Sequence, residues 1–123
     1  MAISNIELKN NYYDLYDENG KKYKSLFNGS NNIIGELLGF SSNFFIVLRS
    51  SYYDFYDENG KKYKSLFNGS NNIIGTFISI SGNTITFRRG SYIDTYDSTG
   101  KKLNSRFSTV PLKYVSSSFK SLK

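Results

Sequence analysis

The sequence predicts an all-β protein assembled from units of about 40 residues, and two observations lead to this fold class. The first is a repeat: residues 12–35 and 52–75 differ at one position only, and a diverged third copy begins at Tyr92. The second is the alternation of apolar and polar residues on both sides of Gly82 and Asn83, which is typical of a hairpin. No segment of the chain requires a helix.

A turn recurs at the same place in every unit. It reads Asp-x-x-Gly followed by two lysines, at residues 17–22, 57–62 and 97–102. Thr99 in the third turn is β-branched and resists positive φ, so the pattern favours a type I turn that a left-handed glycine closes. The turn aspartate is then expected to accept backbone N–H groups, which is a structural role.

Four strands are predicted in each complete unit. In the best-formed copy they span residues 73–81, 84–89, 91–97 and 101–107. A two-residue turn should place two apolar pairs on one face of this sheet, Ile80 with Ile85 and Ile78 with Phe87. The matching residues of the preceding unit are also apolar: Leu38, Phe40, Phe45 and Val47.

The N-terminal strand fits the repeat less well. Ile6 and Leu8 lie one residue out of phase with Phe45 and Val47, the apolar pair at the equivalent place. We expect a β-bulge or a shifted register to absorb this difference.

Both faces of the third strand of a unit are apolar or aromatic. The residues are Tyr13 and Leu15 on one face, and Tyr12 and Tyr16 on the other. The strand then runs into the turn as Tyr-Asp-x-x-Gly-Lys, at residues 56–61 and 96–101. In these features the chain resembles β-propeller blades, whose sheets pack between two neighbours. It lacks the Trp-Asp and Gly-His signatures of WD repeats and the glycine pair of kelch repeats, so the resemblance implies no particular family function.

The chain divides into one partial unit and two complete ones. Residues 1–27 supply three strands, residues 28–67 and 68–107 form a blade each, and residues 108–123 supply a strand that completes the first unit. Three blades are too few to close a ring and would expose apolar outer faces, so we expect a homodimer of six blades. The alternative is a β-trefoil, which closes with three units and is monomeric.

The composition excludes several kinds of site. The 123 residues carry a formal net charge of +6 and contain no Cys, His or Trp. Disulfides, thiolate zinc sites, cysteine nucleophiles and histidine acid–base pairs are therefore ruled out, and we expect no enzyme activity, no cofactor and no metal. The segment 57–60 is similar to part of a calcium loop, but Phe55 and Leu66 occupy places where that loop needs ligands.

The sequence contains no segment that predicts membrane insertion or export. No stretch approaches the roughly 20 apolar residues of a membrane span, and the N-terminus lacks the regions of a signal peptide. We therefore expect a cytoplasmic protein. The Asn-Gly-Ser triplets at residues 28–30 and 68–70 match the glycosylation sequon, but they are expected to supply turns.

Candidate ligand-binding residues fall on two rims of the predicted blades. On the first rim, arginine beside asparagine offers donors for phosphate, carboxylate or sugar hydroxyls. On the second, a lysine pair after each turn would form a ring of ammonium groups, unless the turn acids neutralise it. The first-rim candidates are Asn31, Asn32, Arg49, Asn71, Asn72, Arg88 and Arg89, and the second-rim candidates are Lys21, Lys22, Lys61, Lys62, Lys101 and Lys102.

Two further groups of residues raise the question of chemistry. The mid-strand carboxylates Asp14, Asp54 and Asp94 would need a partner if buried, for which a lysine or a tyrosine hydroxyl would suffice. The tyrosines could stack nucleic-acid bases, but their alternation in inner strands places them in the core or between blades.

The sequence therefore predicts a non-enzymatic binding or scaffold protein that presents repeated loops to an anionic or polyhydroxylated partner. Repetition would give avidity to weak individual sites. The alternative is a lectin-like carbohydrate-binding module. Salt distinguishes the two, because binding through charged rims weakens as the salt concentration rises and sugar binding does not.

Overall fold

The structure, a computed structural model, describes residues 2–108 and is all-β, as predicted. The described chain contains eleven strands and no helix. The strands are β1 (Asn5–Lys9), β2 (Tyr12–Tyr16), β3 (Lys22–Phe27), β4 (Glu36–Phe40), β5 (Phe44–Arg49), β6 (Tyr52–Asp57), β7 (Lys62–Phe67), β8 (Thr76–Ser81), β9 (Thr84–Arg89), β10 (Tyr92–Asp97) and β11 (Lys102–Phe107).

The strands form three separate antiparallel sheets. The first sheet has the order β1-β2-β3, the second β4-β5-β6-β7 and the third β8-β9-β10-β11, so each strand pairs with its neighbours in sequence. Within residues 2–108 no sheet closes on itself, as the barrel of the alternative β-trefoil would require. Residues 109–123, which make up most of the predicted closing strand, lie outside the described residues.

The predicted strand bounds agree with β9, β10 and β11 to within one residue. Strand β8 begins at Thr76 and not at residue 73. The reason is Gly75, whose φ of +106° places the backbone in the left-handed region just before the strand.

The hairpin turns have the predicted geometry. In the first turn the Gly20 N–H donates to the Asp17 carbonyl at 2.9 Å, and Gly20 has a φ of +76°. The Asp17 carboxylate accepts the N–H groups of Asn19 and Lys21 at 2.9 and 3.0 Å. The other two turns repeat these bonds, so the type I turn with a left-handed glycine and its structural aspartate are confirmed.

A β-bulge in β8, the first strand of the third sheet, changes one predicted pairing. In the third sheet Phe87 faces Phe77 rather than Ile78, because the bulge takes up one extra residue. The second sheet has the same bulge at Leu38, which therefore does not face Val47. The predicted pairs next to the turn are confirmed in both sheets.

The core lies between the sheets, and the second sheet buries both of its faces. The layer that it shares with the first sheet contains Ile6, Tyr13, Leu15, Phe45, Val47 and Tyr56. The layer that it shares with the third sheet contains Phe44, Ile46, Tyr53, Phe55, Ile85, Phe87 and Tyr96. Since each large apolar side chain contributes about 1.5–3 kcal/mol when fully buried, these two layers are the main source of stability.

The outer faces of the first and third sheets carry polar residues at places that are apolar in the second sheet. On the first sheet Asn5 and Glu7 occupy the places of Phe45 and Val47. On the third sheet the places of Phe44, Ile46 and Phe55 are occupied by Thr84, Thr86 and Thr95. The expectation of apolar outer faces is wrong at these positions, which instead resemble the polar caps of repeat proteins.

Strand β1 follows the repeat without a shift, so the expected bulge is absent from it. Ile6 faces Leu15 as Ile46 faces Phe55 forty residues later. Ile6 is thus equivalent to Ile46, on the opposite face from Phe45. The difference in phase arises because this end sheet has lost one apolar face.

Tyrosine hydroxyls join successive sheets at both ends. Tyr13 donates to the carbonyl of Gly35 at 2.7 Å, and Tyr23 donates to the carbonyl of Glu58 at 2.6 Å. Both bonds recur forty residues later. At the second copy of the latter bond, burial and nearby carboxylates raise the pKa of Tyr63 to about 12, which keeps its hydroxyl a donor.

None of the described residues forms a helix of the length and apolarity that crossing a membrane would demand.

Close packing of the loop before β4 gives a test of this arrangement. A Cβ at Gly35 would lie 2.5 Å from the carbonyl oxygen of Leu48, and Gly35 has a φ of +117°. Gly35→Ala should therefore lower the free energy of unfolding by about 3 kcal/mol or more in urea denaturation. Gly20→Ala is the control, since its φ is also positive but no atom lies near; it should lose about 1 kcal/mol. Equal losses would contradict the predicted contact.

Candidate functional site

A buried carboxylate recurs in the same strand of every sheet. Asp14, Asp54 and Asp94 lie in β2, β6 and β10, and each is almost completely buried. The hydroxyl of Ser65 donates to Asp54 Oδ1 at 2.6 Å, and the other two units have the same bond. The strand register explains the bond, because Ser65 lies directly opposite Asp54. This serine is a partner that the sequence analysis did not identify.

In two of the three units an arginine side chain also binds the buried carboxylate, and the first unit lacks this arginine. Arg49 Nε donates to Asp54 Oδ2 at 2.6 Å, and the third unit has the equivalent bond at 2.7 Å. The first unit has Lys9 at this position, and among the described residues no ion pair joins Lys9 to Asp14. We call β3, β7 and β11, the last strands of the three sheets, the outer strands. In all three units the first lysine of the outer strand lies 3.6–3.8 Å from the carboxylate: Lys22, Lys62 and Lys102.

An exposed aromatic pair stands beside each carboxylate. Tyr52 and Phe67 lie opposite each other on β6 and β7 with ring centroids 5.2 Å apart, and 36% and 52% of their surfaces are exposed. The other two units repeat the arrangement at centroid distances of 5.2 and 5.8 Å. We call these the aromatic pairs; they are Tyr12–Phe27, Tyr52–Phe67 and Tyr92–Phe107.

Arginine connects the aromatic pair with the buried carboxylate. The guanidinium carbon of Arg49 lies 5.2 Å from the ring centroid of Tyr52, and that of Arg89 lies 5.0 Å from the ring of Tyr92. About a third of the Arg49 side chain is exposed, so N–H groups not used by Asp54 can reach a ligand. Each of these two units therefore presents an aromatic surface with a fixed fork of donors beside it.

The carboxylate of the third unit is held in its charged form. Burial would raise the pKa of Asp94, but hydrogen bonds from Arg89 and Ser105 and the charge of Lys102 outweigh burial and lower it. The hydrogen bond to Asp94 raises the pKa of Arg89 in turn. This arrangement fixes the arginine in place and leaves the carboxylate without a proton to exchange near neutral pH.

The asparagines of the first rim are partly turn residues. Asn32 has a φ of +51°, and its Oδ1 accepts a hydrogen bond from Asn28 Nδ2 at 2.9 Å. The buried Asn28 side chain also accepts two backbone N–H groups of the same loop. The next unit repeats these bonds at Asn68 and Asn72, so both sequon asparagines are turn residues as predicted.

Three first-rim candidates meet at one cleft of about 510 Å³. Asn31, Asn32 and Arg49 line it, together with Glu36 and Ser50. The sequence analysis thus grouped residues that the fold brings together, although Arg49 turns its Nε to Asp54.

The remaining first-rim candidates, Asn71, Asn72, Arg88 and Arg89, belong to the third unit. Asn71 and Asn72 are exposed in the loop that ends at Gly75, and this glycine packs against the Arg88 carbonyl. Arg88 uses its guanidinium locally, donating to the carbonyls of Gly90 and Ser108. Only Arg89 has the position that joins carboxylate and aromatic pair in this unit.

The lysines of the second rim stand among negative charges. Those that begin the outer strands face the buried carboxylates at 3.6–3.8 Å, as described above. Lys21, Lys61 and Lys101 are exposed, and their own backbone N–H groups bind the turn aspartates. Local carboxylates therefore offset much of the charge that a ring of lysines would present.

The expectation that all strand tyrosines are core or interface residues is wrong for one set. Tyr12, Tyr52 and Tyr92 are exposed, whereas Tyr13 and its equivalents are buried. The exposed tyrosines could have been recognised from the hairpin register. Counting back from the Asp-x-x-Gly turn places a tyrosine opposite a phenylalanine in every unit.

Comparison of the chain with protein-family models, with curated proteins and with solved structures finds no match. In the part of the chain that the structure describes, no three acidic side chains converge as a metal site would require.

The buried ion pair of the third unit predicts how stability depends on pH. Because the folded state lowers the pKa of Asp94, the carboxylate stabilises the fold above the ordinary aspartate pKa, and this contribution is lost as pH falls through the lowered value. Asp94→Asn should lower the free energy of unfolding by about 2 kcal/mol near pH 7. The loss is smaller than for a fully buried ion pair, because a third of the Arg89 side chain is exposed to solvent.

The measurement is urea denaturation from about pH 7 to about pH 3, with the exposed-site variant Glu36→Gln as the control for loss of one negative charge. The difference in the free energy of unfolding between Asp94→Asn and the unmodified protein should become smaller below about pH 4. A difference that stays constant would contradict the role given to Asp94.

Proposed function

We propose that this protein is a non-enzymatic binding module that holds a polyhydroxylated polymer on three repeated surfaces. The observation that carries the proposal is the recurrence of an exposed aromatic pair in every unit. A ligand that covers the exposed tyrosine and phenylalanine rings removes apolar surface from water, which favours binding. Three copies at one place in the repeat indicate a surface adapted to a repeating partner.

The groups around the aromatic pairs suit hydroxyl-rich ligands. An aromatic ring packs against the apolar face of a sugar, and the unused N–H groups of Arg49 or Arg89 can donate to its hydroxyls. The lysines nearby are offset by carboxylates, which disfavours binding by charge alone. For this reason we place the lectin-like function ahead of a purely anionic partner.

Aromatic-pair variants test this function. Tyr52→Ala and Tyr92→Ala should each weaken retardation of the full chain in gels that contain dextran or mannan. Removing all three tyrosines should lower the avidity at least about tenfold, because the sites act together. Leu103→Ala, which removes an apolar side chain that is outside the pairs and more exposed than either tyrosine, is the control and should bind normally.

Two results would count against the proposal. One is retardation that survives the triple tyrosine variant. The other is binding that appears only with polyanions and falls steeply between about 50 and 200 mM salt, which would favour the ring of second-rim lysines.

For the assembly, we propose that each four-stranded sheet is a propeller-type blade and that polar outer faces cap the three-sheet stack. The six-bladed dimer stays a prediction, but its physical reason was an apolar outer face. Asn5 and Glu7 at one end and the threonines at the other reduce the apolar surface that such an interface could bury.

Native mass spectrometry distinguishes the two assemblies. A capped stack should give a mass of 14.1 kDa, the mass of one chain. A species of about twice that mass that persists on dilution would support the six-bladed dimer instead. Ile46→Asp, which places charge inside the core, should unfold the chain in either case and so serves as a control for folding.

A further inference from the structure

The first unit contains an open version of the carboxylate site. In the second and third units an arginine guanidinium lies against the buried carboxylate at 2.6–2.7 Å. In the first unit Lys9 stands at the arginine position, and a cleft of about 420 Å³ lies there. Its lining residues are Lys9, Asn10, Tyr12, Asp14, Lys22 and Ser25.

One oxygen of Asp14 is left with unused acceptor capacity. Ser25 Oγ donates to Oδ1 at 2.6 Å. The nearest cation to Oδ2 is Lys22 Nζ at 3.8 Å, which is beyond hydrogen-bond distance, and no other described residue donates to it. The two other units show what this oxygen takes when a donor is present, since there it accepts a close N–H group from arginine.

The charges in the cleft define the ligand class. Two lysines line the cleft with Asp14, and Glu7 lies directly opposite Asp14 on β1, so two positive and two negative charges balance and favour a neutral ligand. A hydroxyl can donate to Asp14 Oδ2 while its neighbour accepts from a lysine ammonium group. The ring of Tyr12 provides an apolar surface on the same side of the sheet.

We propose that the cleft of the first unit binds a saccharide through a vicinal diol, with one hydroxyl on Asp14 Oδ2 and the adjacent hydroxyl on Lys9 or Lys22. This inference rests on the proposed function and adds a polar subsite to one of its three surfaces. Arginine fills the equivalent subsite in the other two units, which therefore bind through their aromatic pairs and arginine donors alone.

The repeat itself supplies the variants for a test. Lys9→Arg should close the first cleft by giving Asp14 the partner that Asp54 has. Arg49→Lys should open the equivalent cleft in the second unit. Both exchanges use residues that the chain already has at this position, and Asp54 has Ser65 and Lys62 as further partners, so both variants are expected to fold.

The experiment is an NMR titration of the isotope-labelled full chain with methyl α-mannoside and methyl α-glucoside. In the unmodified protein the amide signals of Tyr12, Asp14 and Ser25 should shift, and those around Asp54 should not. Lys9→Arg should weaken the first response at least about tenfold, which is the loss expected for a hydrogen bond to a charged group. Arg49→Lys should create a response around Asp54.

The outcomes separate this inference from the proposed function. If Lys9→Arg binds both glycosides as the unmodified protein does, or if only the aromatic-pair amides respond, the cleft proposal is overturned while carbohydrate binding stands. If neither glycoside shifts any amide and a single-stranded oligonucleotide does, both are overturned. One result would support the cleft proposal independently of the aromatic pairs. It is a shift of the Asp14 amide signal that is lost in Lys9→Arg but kept in Tyr52→Ala and Tyr92→Ala.

Discussion

The burial of both faces of the second sheet is the constraint on which the rest of the structure depends. Alternate residues of β5 and β6 enter two different core layers, so neither neighbouring sheet can be removed without exposing phenylalanine to water. The end sheets carry more polar residues on their outer faces, Asn5 and Glu7 on the first sheet and threonines on the third. The same unit therefore differs in sequence at the two ends of the stack.

The buried carboxylates link this core to the surface. Asp54 ties the outer strand through Ser65 and holds Arg49 at the edge of the sheet, where the guanidinium also meets Tyr52. The charge of Asp54 is tolerated in the interior because both of its oxygens accept hydrogen bonds. The same network therefore stabilises the outer strands and sets the geometry of an exposed surface, and a single exchange of arginine for lysine changes what that surface can accept.

The outer strands β3, β7 and β11 combine two properties that usually conflict. Among the described strands they lie at the edges of their sheets, and lysines along them discourage pairing with another chain. They also carry phenylalanines that complete the aromatic pairs. Because each phenylalanine lies at the end of its strand, opposite a tyrosine, the exposed apolar surface is confined to one end of the edge.

The sequence by itself determined the fold class, the turns and most strand bounds, because period-two alternation and the Asp-x-x-Gly pattern are local properties of the chain. It also identified Arg49 and Arg89 as candidate binding residues. Only the tertiary structure decided which face of each strand is covered. It showed that Tyr12 is exposed and Tyr13 buried, that Ser65 and Arg49 meet Asp54, and that β1 needs no bulge. These features depend on strand register and on how many neighbours a sheet has. The sequence of a single unit does not contain that information.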